Sequence, residues 1–350
     1  MNKKLLSGNE AIALAAWEAG VTVGAGYPGT PSTEILENFS QYPDIVAEWS
    51  INEKVAYEVG MGASLQGART LITMKHVGLN VAADGLFTSA YIGVKGGFVV
   101  VSADDPDMNS SQNEQDNRHY AVSAKVPMLD PSDSQDAYSF MKFAYDLSEK
   151  YDTPVIFRTT TRISHSKTIV NCDEVNNPKR PKIGFERNMP KYVMIPAFAR
   201  PRHRIIEERL LKLADDACSW DINRMEMKGT EIGFITSGIS YHYVREAYPD
   251  ASILKLGLIN PLPMKLIKAF ASKVKRLVVV EELDPVFEQQ IKASGIICEG
   301  KAMFPITGEL NQDIVRRGMT GGKKGFPAVV SSIKLPPRPP SLCPGCPHRS

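Results

Sequence analysis

The sequence predicts an α/β protein built on a doubly wound parallel sheet, and three observations carry that prediction. Over the first ~170 residues short apolar strands alternate with helical patterns, the rhythm of βαβ units. Phe98-Val99-Val100-Val101 is apolar without a break, as a strand covered on both faces must be. The rhythm then lapses and resumes at Glu231 in a shorter set, which predicts a second, smaller α/β domain.

Asn9 to Ala19 reads as a helix, with Ile12, Leu14, Ala15 and Trp17 as its apolar residues. Val21 to Gly24 and Ile45 to Trp49 read as short strands, and Glu53 to Gln66 as a helix interrupted by Gly60 and Gly62. Thr70 to Met74 is the next strand and Asn80 to Tyr91 the next helix. After the Phe98 strand, Pro127-Met128-Leu129 opens another. Ser134 to Lys150 places Ala137, Phe140, Met141, Ala144, Tyr145 and Leu147 at helical spacing, with Asp133 and Ser134 as candidate caps. Pro154 to Phe157 closes the first set.

Residues 171–228 are rich in Pro, Lys and Arg and read as a surface connector with one helix, Ile205 to Ala217. In the second set the strands are Ile232 to Thr236, Ile253 to Leu256 and Leu277 to Val280. Its helices are Ser240 to Ala247, Met264 to Val274 and Val286 to Ser294. Pro336-Pro337-Arg338-Pro339-Pro340 then reads as a stiff linker. The predicted division is a first domain over 1–170, the connector over 171–228, a second domain over 229–334, and a linker with the start of a further domain over 335–350.

The composition, 43% hydrophobic and 23% charged, is that of an ordinary globular protein. A net charge of +2 provides no field for a polyanion, which argues against a nucleic-acid partner. No apolar run approaches the ~20 residues that span a bilayer, and the start Met1 to Glu10 lacks a signal-peptide core. A cytoplasmic location is expected. Cys172, Cys218 and Cys298 are scattered, as buried or free thiols are. Cys343 and Cys346 form a lone CxxC, two ligands of an incomplete cluster site or else a structural turn.

Chemistry is concentrated at strand ends. Gly24, Gly26 and Gly29 spell GxGxxG, with Glu48 about twenty residues on, which mimics a dinucleotide fingerprint. A helix already precedes this strand, and Pro28 and Pro31 flank the third glycine, with Pro31 placed as the first helical residue and Thr30 as its cap. A ligand held at that helix N-terminus by Thr30 and backbone N–H groups is the stronger reading; a turn without a ligand is the plain one. Glu53 opens the helix after the next strand, where a surface acid would also suit the helix dipole. Lys75 and His76 fall at the carboxyl edge of the sheet, where ligands bind in such folds. There a lysine would neutralise a substrate carboxylate; a solvated loop pair is the alternative. Asp104 and Asp105 follow the fourth strand, as caps or loop hydrogen-bonding groups or as catalytic groups, and Ser110 to Arg118 reads as a loop that lines or covers the site or else as a plain solvated loop.

Six segments carry a family resemblance: Tyr27 to Ser32, Asn52 to Ala56, Met74 to Asn80, Ala103 to Pro106, Ser110 to Asp116 and Arg158 to His165. Together they resemble the pyrimidine-binding domain of thiamine diphosphate enzymes. More narrowly, they resemble the alpha subunit of indolepyruvate:ferredoxin oxidoreductase, within the 2-oxoacid:ferredoxin oxidoreductases. Residues 229–330 are similar to the transketolase C-terminal-like domain, and Cys343 to Arg349 to the start of the diphosphate-binding domain. The resemblance covers nearly the whole chain.

The resemblance implies that Glu53 hydrogen-bonds the aminopyrimidine of thiamine diphosphate, favouring the tautomer that takes the thiazolium proton. It implies further cofactor contacts from Gly26, Tyr27, Pro28, Gly29 and Asn80, and substrate contacts from Thr30, Lys75 and His76. The implied reaction is oxidative decarboxylation of an arylpyruvate to an acyl-CoA, with ferredoxin reduced through iron–sulfur clusters. A related 2-oxoacid such as pyruvate, or a non-catalytic assembly module, are the alternatives. The chain contains no Gly-Asp pair to hold magnesium and the diphosphate, and no ferredoxin-like cysteine motifs. Thiamine diphosphate, Mg2+ and the clusters are therefore expected to need a missing domain, a beta subunit or a second alpha chain. The linker predicts the N-terminal portion of a longer alpha subunit, with a naturally split subunit as the alternative, and the chain alone is expected to be inactive.

Overall fold

The computed structural model describes residues 2–173, 184–323, 325 and 336. In chain order the first half runs β1 (Asn2–Ser7), α1 (Gly8–Glu18), β2 (Val21–Gly26), α2 (Thr33–Phe39), β3 (Val46–Trp49), α3 (Glu53–Leu65), β4 (Arg69–Lys75), α4 (His76–Ile92), β5 (Phe98–Asp104), α5 (Arg118–Ala124), β6 (Met128–Leu129), α6 (Ser134–Tyr151), β7 (Val155–Thr160), α7 (Thr161–His165) and β8 (Lys167–Cys172). The second half adds α8 (Met189–Tyr192), α9 (Pro196–Asp216), β9 (Arg224–Glu226), β10 (Ile232–Ser237), α10 (Ser240–Ala247), β11 (Ser252–Leu256), β12 (Leu258–Asn260), α11 (Met264–Ala271), β13 (Arg276–Val280), α12 (Val286–Ala293) and α13 (Gln312–Met319).

The large sheet has the order β12-β6-β7-β5-β4-β2-β3 and is parallel except at β12. Its strands alternate side chains between two cores. Leu71, Val99, Val101, Val155 and Phe157 pack under α1, α2 and α6, while Ile72, Met74, Phe98, Val100 and Ile156 face α3 and α4. That double burial explains the unbroken apolar run at Phe98. The chain leaves β2 outward to β3 and then crosses back to β4, from which the remaining strands extend the other way. A switch point therefore lies between the carboxyl ends of β2 and β4, the place where such sheets bind ligands.

Local caps set the helix starts. Ser7 and Glu10 form a reciprocal box on α1, with Ser7 N–H donating to Glu10 Oε2 at 2.7 Å. The α3 start is held by Val55 N–H donating to Asn52 Oδ1 at 2.9 Å, and the α6 start by Asp136 N–H donating to Asp133 Oδ1 at 2.8 Å.

The structure corrects several expectations. The helix predicted from Asn80 begins at His76, because Val77 and Leu79 continue its pattern. Pro31 is not the first helical residue and Thr30 is no cap: α2 starts at Thr33. There the loop closes on Gly29, whose N–H donates to Thr33 Oγ1 at 2.9 Å and whose carbonyl accepts from Ser32 Oγ at 2.8 Å. The connector helix is α9, nine residues longer at its start than expected. Its Arg202 and Arg209 donate to the last carbonyls of α4, at Tyr91 (2.6 Å) and Ala90 (2.9 Å). The ribbon of β1 and β8, whose cross-strand pairing alone makes it a strand pair, was not visible as a pattern.

The smaller sheet has the order β13-β10-β11-β9. It is not a separate body. β12, from the second half, pairs with β6 of the large sheet, and Asn260 Nδ2 donates to Val126 O at 2.7 Å. Arg118 donates from Nη1 to Glu281 Oε2 at 2.5 Å and from Nη2 to Glu282 O at 2.7 Å, all buried. Among the described residues no helix is long and apolar enough to cross a membrane.

Candidate functional site

The site grows from close backbone approaches at the switch point. A Cβ on Gly26 would lie 2.8 Å from Thr73 O and 3.2 Å from the Trp49 ring. One on Gly29 would lie 3.0 Å from Lys75 Cβ, so the Tyr27-Pro28-Gly29 turn rests directly on Lys75. Gly24 serves packing instead, since its Cβ would meet the Phe39 ring at 2.8 Å. Each of the three glycines thus answers to a protein neighbour, which explains the fingerprint spacing without a dinucleotide. Glu48 is exposed on β3, the edge strand.

Glu53 opens α3, and its side chain lies flat on α4. A Cβ at Gly78 would stand 2.6 Å from Glu53 Cγ and Oε1, so only glycine leaves room for the carboxylate there. Glu53 is half-buried, and no hydrogen bond or ion pair from any described residue reaches its carboxylate. At the same end of the sheet, after β2 and β3, Tyr27 and Trp49 are each about two-fifths exposed and Ile51 is 82% exposed. That is a poor arrangement for a free surface and a suitable one for an apolar ring with a polar edge.

Lys75 and His76 are not a solvated pair. Lys75 ends β4 with 8% exposure, and its Nζ donates to the Ser110 carbonyl. Burial pushes its pKa below the ordinary lysine range, and the charge of Asp105 offsets part of that. His76 is fully buried, with Nε2 3.2 Å from Asn113 O and Nδ1 without a partner. Thr30 is exposed and, with Asn109, Ser110, Thr161, Arg162, His165, Ser166 and Glu309, lines a cleft of about 370 Å³. Asn80 stands apart. It is exposed on α4, exchanges amide hydrogen bonds with Gln115 (2.8 and 3.0 Å), and accepts from Tyr120 OH at 2.6 Å. Cys343 and Cys346 lie outside the described residues.

The acids of this edge are already engaged. Burial would raise Asp116, but the Arg118 guanidinium holds it down at about 2. Burial raises the Asp104 carboxyl above its ordinary range although Arg158 Nε donates to it at 2.8 Å. Asp105 accepts from Ser110 N–H (2.8 Å), Ser111 Oγ (2.5 Å) and Thr161 Oγ1 (2.6 Å), which together outweigh burial and lower its pKa. One group of three metal-ligating side chains occurs among the described residues, Asp116, His119 and Asp284. Arg118 covers both Asp116 oxygens, so it offers no ready cation site. Glu53 is the contrasting case, a carboxylate placed with care and left free. A heterocycle offering a hydrogen-bond donor fits it; a magnesium diphosphate finds no comparable set of ligands among the described residues. The roles of Gly78 and of the Asp105 cluster were missed from sequence. A glycine inside an apolar helical pattern was the available signal for the first.

Residues 14–206 match the family described as pyruvate flavodoxin/ferredoxin oxidoreductase, thiamine diphosphate-binding. Among curated proteins the chain is 43% identical over 370 aligned positions to indolepyruvate oxidoreductase subunit IorA of Archaeoglobus fulgidus, covering 99% of this chain and 59% of that one. It is 44% identical to the subunit of the same name from Methanothermobacter thermautotrophicus, again over 59% of its length. Ketoisovalerate oxidoreductase subunit VorB of that organism is 22% identical over 84% of this chain and 91% of its own. The fold is shared with a 2-oxoglutarate:ferredoxin oxidoreductase from Magnetococcus marinus, with a TM-score of 0.76 at 17% identity over 91% of this chain and 65% of that one. A split-gene transketolase gives a TM-score of 0.57 at 14% identity, over 91% of this chain and 98% of that one. The chain spans less than two thirds of the IorA relatives, yet the family match takes in more than half of its own residues. It belongs to the pyruvate flavodoxin/ferredoxin oxidoreductase family of thiamine diphosphate-binding proteins.

Proposed function

We propose that this chain supplies the pyrimidine-side half of an indolepyruvate:ferredoxin oxidoreductase, which converts an arylpyruvate to an acyl-CoA and reduces ferredoxin. Residues 1–170 are read as the pyrimidine-binding domain and 229–334 as the transketolase C-terminal-like domain. The observation that carries the reading is Glu53, without a hydrogen-bond or ion-pair partner among the described residues and laid on Gly78 at the switch point. Thiamine diphosphate, when bound, supplies the electron sink for loss of carbon dioxide. The contribution of the chain is to hold the pyrimidine edge with the Glu53 carboxylate and to shape the turn beside it with Gly26, Tyr27, Pro28 and Gly29. Thr30, at the cleft, would orient the substrate, and the buried Lys75 would offset its charge; His76, fully buried, would act from behind them. An aryl substrate is favoured because relatives above 40% identity are named for indolepyruvate, while the ketoisovalerate relative stands at 22%.

The diphosphate, Mg2+, iron–sulfur clusters, coenzyme A and ferredoxin are assigned to chain or subunits beyond the described residues. Exposed Tyr27, Trp49, Ile51, Val59, Val81 and Phe87, on β2, β3, α3 and α4 or the turns after them, suit cover by such a partner, a beta subunit or a second alpha chain. The free thiols of Cys172, Cys218 and Cys298 fit a cytoplasmic location. The test is Glu53→Gln in the completed enzyme, with arylpyruvate-dependent reduction of ferredoxin as the readout. A fall of two orders of magnitude or more is expected for loss of a group acting in proton transfer, at roughly 10²–10⁴-fold. Undiminished turnover in the variant would remove the catalytic assignment.

A further inference from the structure

One buried ammonium in this molecule is bonded to the peptide carbonyl of a residue that lines a cleft. Lys75 is 8% exposed, sits under Gly29, and directs its ammonium to the Ser110 carbonyl. No carboxylate of the described residues forms a salt bridge with it. Ser110 in turn lines the 370 Å³ cleft that Thr30 opens into. Lys75 is also the cap residue of the 17-residue α4, whose N-terminus has no side-chain cap, so that corner carries the positive end of a helix as well.

The segment that brings Ser110 there is strapped at named points. At its start, Asp105 gathers Ser110 N–H, Ser111 Oγ and Thr161 Oγ1. In the middle, Asn113 O lies 3.2 Å from His76 Nε2. At its end, Asn117 Nδ2 donates to Ser102 Oγ at 2.8 Å and to His76 O at 3.0 Å. Between Asp105 and Ser110, Asp107 and Met108 hold left-handed backbone, with φ of 68° and 50°, a conformation that residues with a Cβ adopt reluctantly. Residues 107–110 are exposed. The strap is thus tied by side-chain bonds over a buried charge, and its exposed turn carries two residues in a strained backbone region.

We propose that Lys75 is the receptor for the carboxylate of the 2-oxoacid, and that Ser110 is a displaceable occupant of that receptor, held in place by Asp105 as a positioning residue. This deepens the functional reading above and rests on it. A carboxylate oxygen makes a stronger, charge-assisted bond to an ammonium than a peptide carbonyl does. Substrate entering beside Thr30 takes over the ammonium, and the 107–113 strap lifts. Strap and substrate therefore compete for one group, which gives the proposal a sign: loosening the clasp without altering charge strengthens substrate binding.

The experiment is calorimetric titration of phenylpyruvate into the 350-residue chain, beside hydrogen exchange of the strap amides. Lys75→Met is expected to weaken binding about tenfold or more, the scale of a lost hydrogen bond to a charged group. Ser111→Ala removes one clasp bond and no charge, and is expected to tighten binding roughly threefold or more. In the unaltered chain phenylpyruvate should speed exchange of the Ser110 amide, and the neutral methyl ester should neither bind nor do so. The proposal is overturned if Lys75→Met binds as well as the parent, if Ser111→Ala binds no tighter, if the ester matches the acid, or if phenylpyruvate does not bind. None of these results bears on Glu53, whose role is read separately from turnover. Should Lys75→Met fail to fold, the Ser111→Ala affinity and the exchange of Ser110 decide the matter.

Discussion

Gly78→Ala is the sharpest perturbation of the proposed cofactor contact. The added methyl would stand 2.6 Å from Glu53 Cγ and Oε1 and 2.9 Å from Cδ. Comfortable contacts of this kind begin near 3.5 Å, so the carboxylate must retreat by roughly 1 Å. It can do so, because Glu53 is half-exposed and no described residue bonds it. Stability should therefore hold or rise slightly, since alanine favours a helix over glycine by about 0.5–1 kcal/mol. Activity should not hold: a catalytic group displaced by about 1 Å typically costs on the order of 10²-fold. The assay pairs arylpyruvate-dependent ferredoxin reduction in the completed enzyme with a thermal melt of the same preparation. A variant that melts normally and turns over normally would refute the reasoning, because Glu53 would then be acting at no fixed position.

Three further outcomes follow from the packing and the buried charges. Gly24→Ala forces a methyl against the Phe39 ring at 2.8 Å and should cost about 1–3 kcal/mol in urea unfolding, without any change in the affinity for NADH, which this site is not built to hold. Arg118→Met strands Asp116 and Glu281 in the interior, and should destabilise by about 3–5 kcal/mol, read from the same unfolding curves. Burial pushes the Glu282 carboxyl up to about 7, with Leu310 N–H at 3.0 Å as its hydrogen-bond donor. The native state then keeps a proton that the unfolded chain, with an ordinary value of about 4.3, releases. This contribution is complete below that value and is lost as pH rises through about 7. Glu282→Gln should flatten the stability profile across that window and leave the variant more stable than the parent at pH 8, by up to about 3 kcal/mol; a slope unchanged in the variant would assign the titration elsewhere.

What was legible in the sequence follows from periodicity. The strands at Phe98, Val155, Ile232 and Leu277 announce themselves because a buried parallel strand must be apolar on both faces. β1 and β12 do not, because their reason to be strands lies in a distant partner, β8 for one and β6 for the other. The start of α4 was missed for a related cause: Lys75 and His76 are polar residues in a buried place, and only the strap above them makes burial tolerable. The candidate site divides the same way. Glu53, Thr30 and the glycine turn could be picked out by their position at strand ends. Asp105, Ser111 and Thr161 could not, since hydroxyls and acids in loops are common and only the fold brings these three to one point.

The second half of the chain has a physical part in this site through the run from Gly308 to Leu310. Glu114, on the strap, accepts from Asp107 N–H at 2.6 Å and from Gly308 N–H at 3.0 Å, so one carboxylate oxygen ties the strap to itself and to the second half of the chain. Arg162, just after β7, grips Glu309 with Nε at 2.9 and 3.0 Å and Nη2 at 2.6 Å on the opposite wall of the cleft. Leu310 N–H then reaches the buried Glu282, beside the Glu281 that holds Arg118. Arg118 is the residue at which the strap ends and α5 begins. The run from Gly308 to Leu310 therefore touches the strap, the cleft wall and the buried charge cluster within three residues. The two halves also share an apolar core, in which Met128 and Ile156 of the first are grouped with Ile235, Leu254 and Phe287 of the second. To that shared core the bonds of Gly308, Glu309 and Leu310 add fixed, directional ties, one of them at the cleft that Thr30 also lines.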